Sequence, residues 1–259
     1  MKFDELDKQM RVYEQSLDHC IIPGCHIVVR IDGRSFTRLT KQILKLKTPF
    51  DEKMLGYMTA TVQHLMDCGF GMLYGYTESD EISLLLRLDD NTFGRKTRKL
   101  NSVLAGEASA FFSLQVGVPA SFDCRVIPLP NAPSVIDYFM WRQEDAHRNA
   151  MNAWCYWTLR GEGLNERAAT KQILGLSVAD KNELLFIRGI NFNDLPAWQK
   201  TGTGVYWESY KKEGYNPITK ETSIAMRLRL KADYALPIKE RYAEFIKELL
   251  DTENNQGEQ

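Results

Sequence analysis

Three carboxylates stand where extended runs give way to turns. Asp32 follows the run HIVVRI (26–31), and Asp80 and Glu81 belong to the tetrad Glu78-Ser79-Asp80-Glu81 between GMLYGYT and ISLLLRL. Two carboxylates on adjacent strand ends can hold a pair of hard divalent cations about 3.5–4 Å apart, which activate an attacking hydroxyl and stabilise a leaving pyrophosphate. Gly33, next to Asp32, would let its backbone carbonyl approach a metal or phosphate closely. Acidic turns between strands also cap and hydrate, so the carboxylates alone leave a metal site and a solvated turn both open.

Basic residues follow both acidic turns. Lys41, Lys45 and Lys47 come after Asp32, while Arg95, Lys96, Arg98 and Lys99 crowd the window RKTRK at the start of a predicted helix. Cations in a first helical turn oppose the helix dipole, and a triphosphate or a nucleic-acid backbone would offset that. A solvated charged face is the alternative. Neither G-x-G-x-x-G nor the P-loop pattern is present, so a Rossmann or Walker enzyme is unsupported. His19, Cys20, Cys25 and His26 lack zinc-ligand spacing, and Ser79 lacks the G-x-S-x-G elbow of a hydrolase.

The elements that must position these groups are readable from periodicity. HIVVRI reads as a strand entering the turn DGRSF, 51–66 as a helix, and the runs flanking the acidic tetrad as two paired strands. A helix from Arg95 to about Leu114 would turn Leu100, Val103, Leu104, Ala108 and Phe111 inward, and FDCRVIPLP reads as a strand ended by prolines. This order predicts an α+β fold: over residues 1–135, a ferredoxin-like split β-α-β antiparallel sheet with helices on one face. Residues 136–259 are predicted to form a mainly helical portion packed on that core within the same compact unit. It opens with the long amphipathic run VIDYFMWRQEDAHRNAMNAWCYWTL.

The aromatics Trp141, Trp154, Tyr156 and Trp157 recur at near-helical spacing, which reads as core or subunit packing rather than base stacking. His147, beside Arg148 and Asn149, is either a local structural histidine or a polynucleotide contact. The segment FNDLPAWQKTGTGVYW is dense in special residues, and its spacing assigns it no role.

Composition narrows the class. The 259 residues carry 33 Lys+Arg against 34 Asp+Glu, a net charge of −1, which excludes a polycation that binds nucleic acid through its total charge. At 44% hydrophobic and 11% aromatic residues the chain can build a substantial core. No run approaches the ~18 apolar residues of a membrane span, and MKFDELDKQM is too polar for a secretory leader, so a cytoplasmic protein is expected. Five scattered cysteines without a CxxC read as reduced thiols.

Taken in order, VVRIDGRSF (28–36), YTESDEISLLL (76–86), RKTRKLNS (95–102), FDCRVIPLP (122–130), DYFMWRQEDAHRNAMN (137–152) and KNELLF with NFNDLPAWQKTGTGVYW resemble the tRNA-His guanylyltransferase family. The resemblance spans nearly the whole chain. It implies a catalytic domain like a polymerase palm working in reverse, with growth 3′ to 5′: the 3′-hydroxyl of an incoming nucleotide attacks an activated tRNA 5′ end. A 5′-monophosphate end would first be adenylylated with ATP, and a 5′-triphosphate end extended directly with GTP or another nucleoside triphosphate.

By the same resemblance, Asp32, the Gly33 carbonyl and Asp80 would bind two Mg²⁺, with Asp32, Asp80 and Glu81 catalytic. Arg30, Arg34, Ser35, Phe36, Lys47, Ser79, Arg95 and Lys99 would bind nucleotide and triphosphate. Lys96, Arg98, His147, Arg148 and Asn149 would contact tRNA. The family pattern implies a homotetramer built as a dimer of dimers. Eukaryotic members read H-I-N-N-L-Y-N where this chain has HRNAMNA from His147, so the chain looks like the bacterial and archaeal branch that repairs 5′-truncated tRNAs on a template. Two other readings of the same residues are a palm-fold nucleotide cyclase or small-molecule nucleotidyltransferase, and a non-catalytic tRNA-binding protein.

Overall fold

The computed structural model describes residues 2–215 and 222–256. Its strands are β1 (His26–Gly33), β2 (Met72–Glu78), β3 (Glu81–Leu86), β4 (Phe122–Leu129), β5 (Thr203–Tyr215) and β6 (Thr222–Asp233). The helices are α1 (Phe3–Gln15), α2 (Phe36–Arg38), α3 (Glu52–Met66), α4 (Thr97–Val116), α5 (Ala132–Gly161), α6 (Glu166–Ile173), α7 (Val178–Phe186), α8 (Ala197–Thr201) and α9 (Glu240–Gln256). The strands form one sheet in the order β4-β1-β3-β2-β5-β6, with every neighbouring pair antiparallel.

β1 is apolar on both faces because both are covered. Ile27, Val29 and Ile31 pack with Ile82 and Leu84 against Val62 and Leu65 of α3 and Leu100, Leu104 and Phe112 of α4. On the opposite face Val28, Leu85, Tyr74 and Tyr76 meet Val135 and Phe139 of α5 and Tyr242 and Ile246 of α9. A strand buried on both faces reads as a continuous apolar run rather than an alternating one. Within the first 135 residues the sheet carries helices α3 and α4 on one face, as expected; α5 and α9 close the other. The far half of α5 leaves the sheet and packs Met151, Cys155 and Leu159 against α6 and α7.

Local departures from the sequence reading have plain causes. α4 starts at Thr97, not Arg95, because Arg95 sits in a left-handed turn at φ 57°. Phe112 rather than Phe111 continues the buried series Leu100, Leu104, Ala108; Phe111 stacks on His64 at 4.3 Å. Pro128 lies inside β4 opposite Ile27, which an edge strand tolerates. The portion after residue 136 contributes two strands as well as helices, and β5 extends the sheet by pairing Thr203–Tyr206 with Tyr74–Thr77. In β5 the apolar alternation is broken by charges in ESYKKE, which hid it.

Candidate active site

The two acidic turns converge at one end of the sheet. Asp32 in β1 lies opposite Glu81 in β3, and the two-residue turn Ser79–Asp80 joins β2 to β3. Ser79 adopts φ 51°, the left-handed region that short hairpin turns need and that non-glycine residues seldom enter. Three bonds hold the turn. Gly33 N donates to the Asp80 carbonyl at 3.1 Å, Thr77 Oγ1 to the Glu81 carbonyl at 2.7 Å, and Ser79 Oγ to Asp80 Oδ1 at 3.1 Å.

These carboxylates open into a cleft of about 400 Å³. Asp32, Glu78, Asp80 and Glu81 form its acidic end; Lys41 and Lys47 come from the segment after β1, Asn149 and Trp157 from α5, and Trp198 and Gln199 from α8. Lys41 Nζ sits 4.3 Å over the Trp157 ring, and burial lowers its pKa. Trp198 meets Phe50 edge-on at 5.8 Å. Gln199 Oε1 accepts from the Trp154 indole at 3.2 Å.

Burial and like charge raise the pKa values of Asp80 and Glu78. Asp80 is pushed up to about 6, first by burial and then by the negative charge of Asp32, against the hydrogen bond from Ser79. Glu78 is pushed up to about 7 by burial, with Asn149 opposing and Glu81 reinforcing the shift. The Asp32 carboxylate takes no hydrogen bond or ion pair from any described residue. Two adjacent carboxylates, one without a protein partner and the other raised first by burial and then by its neighbour's charge, fit a hard divalent cation. No cluster of three or more His, Cys, Asp or Glu placed to hold a metal occurs among the described residues.

Glu81 is differently placed. Its Oε2 accepts from Arg30 Nη2 at 2.5 Å, and Arg142 Nη2 lies 3.3 Å from Oε2 and 3.1 Å from Oε1. A carboxylate gripped by two guanidiniums is not a free metal ligand.

Comparison with known proteins places this arrangement. The family model described as tRNAHis guanylyltransferase matches residues 7–130, and that of the Thg1 C terminal domain matches 133–247. A probable tRNA(His) guanylyltransferase of Drosophila melanogaster is 34% identical over 204 residues, covering 75% of this chain and 70% of its own. The tRNA(His) guanylyltransferase of Candida glabrata is 32% identical over 200 residues, covering 71% and 83%. The chain belongs to the tRNA-His guanylyltransferase family. Among solved structures, a bacterial tRNA(His) guanylyltransferase (Thg1)-like protein in complex with GTP superimposes with TM-score 0.74 at 28% identity, over 95% of this chain and 99% of that one. The Saccharomyces cerevisiae tRNA(His) guanylyltransferase gives 0.70 at 29% identity, over 75% and 91%.

For a member of this nucleotidyltransferase family, the expected site residues fall into two groups. Asp32, Phe36, Lys47, Ser79, Asp80, Glu81 and Asn149 line the cleft. Arg30, Gly33, Arg34, Ser35, Arg95, Lys96, Arg98, Lys99, His147 and Arg148 do not. Gly33 is glycine for a steric reason not anticipated: a Cβ there would lie 2.4 Å from the Phe36 ring.

The basic window, expected to grip triphosphate or RNA, is directed elsewhere within this chain. Arg95, 6% exposed, donates to the carbonyls of Cys25, Leu88 and Asp90. Lys96 and Arg98 both pair with Asp18, and Lys99 lies over the Phe93 ring at 5.6 Å. His147 packs edge-on against Phe192 at 5.3 Å, and burial lowers its pKa. Sequence reasoning missed Arg142 and Asp145. Their signal was polar residues at i, i+4, i+7 and i+11 (Tyr138, Arg142, Asp145, Asn149) on an otherwise apolar helix face.

Proposed function

We propose that this chain is an Mg²⁺-dependent nucleotidyltransferase that adds nucleotides in the 3′-to-5′ direction to the 5′ end of tRNA. The observation that carries the reading is the Asp32–Asp80 pair in the cleft, where Asp32 has no partner among the described residues and its charge adds to the upward pull of burial on the Asp80 pKa. The family, whose solved relatives include complexes with GTP and with ATP, supports nucleoside triphosphates as substrates.

In this reading Asp32 and Asp80 would hold Mg²⁺, joined by the backbone carbonyl of Gly33 from beside the cleft lining, and the ion when bound would supply Lewis-acid activation of the attacking hydroxyl and neutralise the leaving pyrophosphate. Lys47 and Lys41 present positive charge to the phosphates along the basic wall. Ser79 orients the Asp80 carboxylate through its hydroxyl. A 5′-monophosphate tRNA end is activated with ATP before extension, whereas a 5′-triphosphate end is extended directly. The HRNAMNA sequence at His147 favours templated repair of truncated tRNAs, with addition of a guanosine to tRNA-His as a further use.

The reading also takes the enzyme to be cytoplasmic and homotetrameric. No described helix is long and apolar enough to cross a membrane. The exposed apolar residues Ile224, Met226 and Leu228 along β6, and Phe3, Met10 and Tyr13 on α1, support burial by other subunits. The deciding experiment incubates the protein with labelled tRNA lacking its first nucleotide, ATP, all four nucleoside triphosphates and Mg²⁺. Lengthening of the 5′ end that is lost in Asp32→Ala and Asp80→Ala is expected; no lengthening by the wild type, or unchanged lengthening by both variants, overturns the reading.

A further inference from the structure

The polar stripe on α5 has no part in the reading above, and at its centre is Arg142. It is the largest of the fully buried side chains, 2% exposed. Its guanidinium donates to Asp145 Oδ2 at 2.8 Å and to Glu81 Oε2 at 3.3 Å. Burying a guanidinium carries a desolvation penalty, and a well-packed apolar side chain commonly gives equal or better stability at such a site. Stability alone therefore leaves this residue unexplained.

Its position relative to the cleft suggests the reason. Glu81 is joined to Asp80 through the chain and lies opposite Asp32 in the β1–β3 ladder. It is thus one step from both carboxylates, one step along the backbone and one across it. Arg30, two residues before Asp32 on the same strand face, grips Glu81 from below. The buried Glu81 Oε1 takes no hydrogen bond, and the Arg142 charge 3.1 Å away is what compensates it.

We propose that Arg142 is a positioning residue for this reaction: by clamping Glu81 to α5 it sets Asp80 and Asp32 at the separation a divalent cation requires, and Glu81 serves as the clamp's anchor rather than as a ligand. This rests on the nucleotidyltransferase reading for its activity arm, but its metal-binding arm stands without it. Groups that orient metal ligands from the second layer typically change metal affinity 10–100-fold when removed.

The test compares wild type with Arg142→Met, Glu81→Gln, the double variant and Arg142→Lys. Thermal unfolding monitors the fold, calorimetric titration measures Mn²⁺ binding without RNA, and the truncated-tRNA assay gives kcat and nucleotide KM. Arg142→Met is expected to weaken Mn²⁺ binding about tenfold and to lower kcat about 100-fold, with nucleotide KM nearly unchanged. Arg142→Lys, which keeps the charge, should recover part of both losses. The losses in the double variant should fall short of the sum of the two single ones, because both substitutions break the Arg142–Glu81 contact.

A folded Arg142→Met with wild-type Mn²⁺ affinity and kcat overturns the proposal, as do losses that add in the double variant. If Arg142→Met does not fold, the double variant, which removes the uncompensated Glu81 charge along with Arg142, replaces it, and wild-type Mn²⁺ affinity there overturns the proposal. A wild type that binds Mn²⁺ but extends no tRNA refutes the proposed function and leaves the clamp testable by calorimetry.

Discussion

Phe36 lies directly over Gly33, so close that any Cβ on residue 33 would fall 2.4 Å from its ring. Phe36 in turn packs on Phe112 and Phe122 with ring centroids 5.2 and 4.8 Å away. The residue after the candidate metal carboxylate Asp32 is therefore held to glycine by the core beneath it. Gly33→Ala should displace Phe36 and cost about 1–3 kcal/mol, typical of overpacking. Urea unfolding checks the stability. Shortening the ring in Gly33→Ala/Phe36→Leu should restore part of it, whereas a glycine needed only for its carbonyl would show no such rescue.

Asp80 links function to pH. Its pKa in the folded protein is about 6, above the ordinary aspartate value of 3.8, so the folded state binds this proton more tightly than the unfolded chain. Between about pH 4 and pH 6, stability from this group falls as pH rises. At pH 7.5 without divalent metal, Asp80→Asn should be more stable than wild type by about 1–3 kcal/mol while losing activity. Its advantage should vanish near pH 4. Urea titrations at the two pH values in chelator test this; equal stability at pH 7.5 would show that the Asp32–Asp80 pair is not strained.

Arg95 separates a structural from a phosphate-binding role. With three backbone carbonyls as acceptors, Arg95→Ala should destabilise the fold by about 2–4 kcal/mol through lost charge-assisted bonds and unpaired carbonyls. Nucleotide KM of the folded fraction should stay within about twofold. A large rise in KM with intact stability would instead assign Arg95 to the triphosphate.

Asp18 restrains two cations expected to meet tRNA. The hydrogen bonds from Arg98 and Lys96 hold its carboxyl well below the usual range. Asp18→Asn should release both side chains and tighten tRNA binding about two- to fivefold at low salt, with a steeper loss of affinity as salt is raised. Filter binding at several ionic strengths measures it. Unchanged affinity and slope would place Lys96 and Arg98 away from the RNA.

Much of the scaffold could be read along the chain. β1, the β2–β3 pair, α3 and α5 each carry an uninterrupted local pattern, and the Asp32 and Asp80 turns follow from where those patterns stop. β5 was harder, because it is a strand by virtue of its pairing with β2 and β6, and its exposed reach is written in charged residues. α8 was unassigned for a related reason: Trp198 and Gln199 acquire a role only from the cleft they line.

What the sequence by itself determined, then, was the carboxylate pair, its position at strand ends and the family signature around it, since these depend on residues close together in the chain. Tertiary structure decided how the charges were allocated. Arg95, itself among the basic residues expected to bind triphosphate, turns inward to carbonyls, and Arg142, unremarked on an apolar helix, is the partner of Glu81 across 61 residues. A charge's partner is chosen by distance and burial in the folded protein, and neither can be read from its neighbours in sequence.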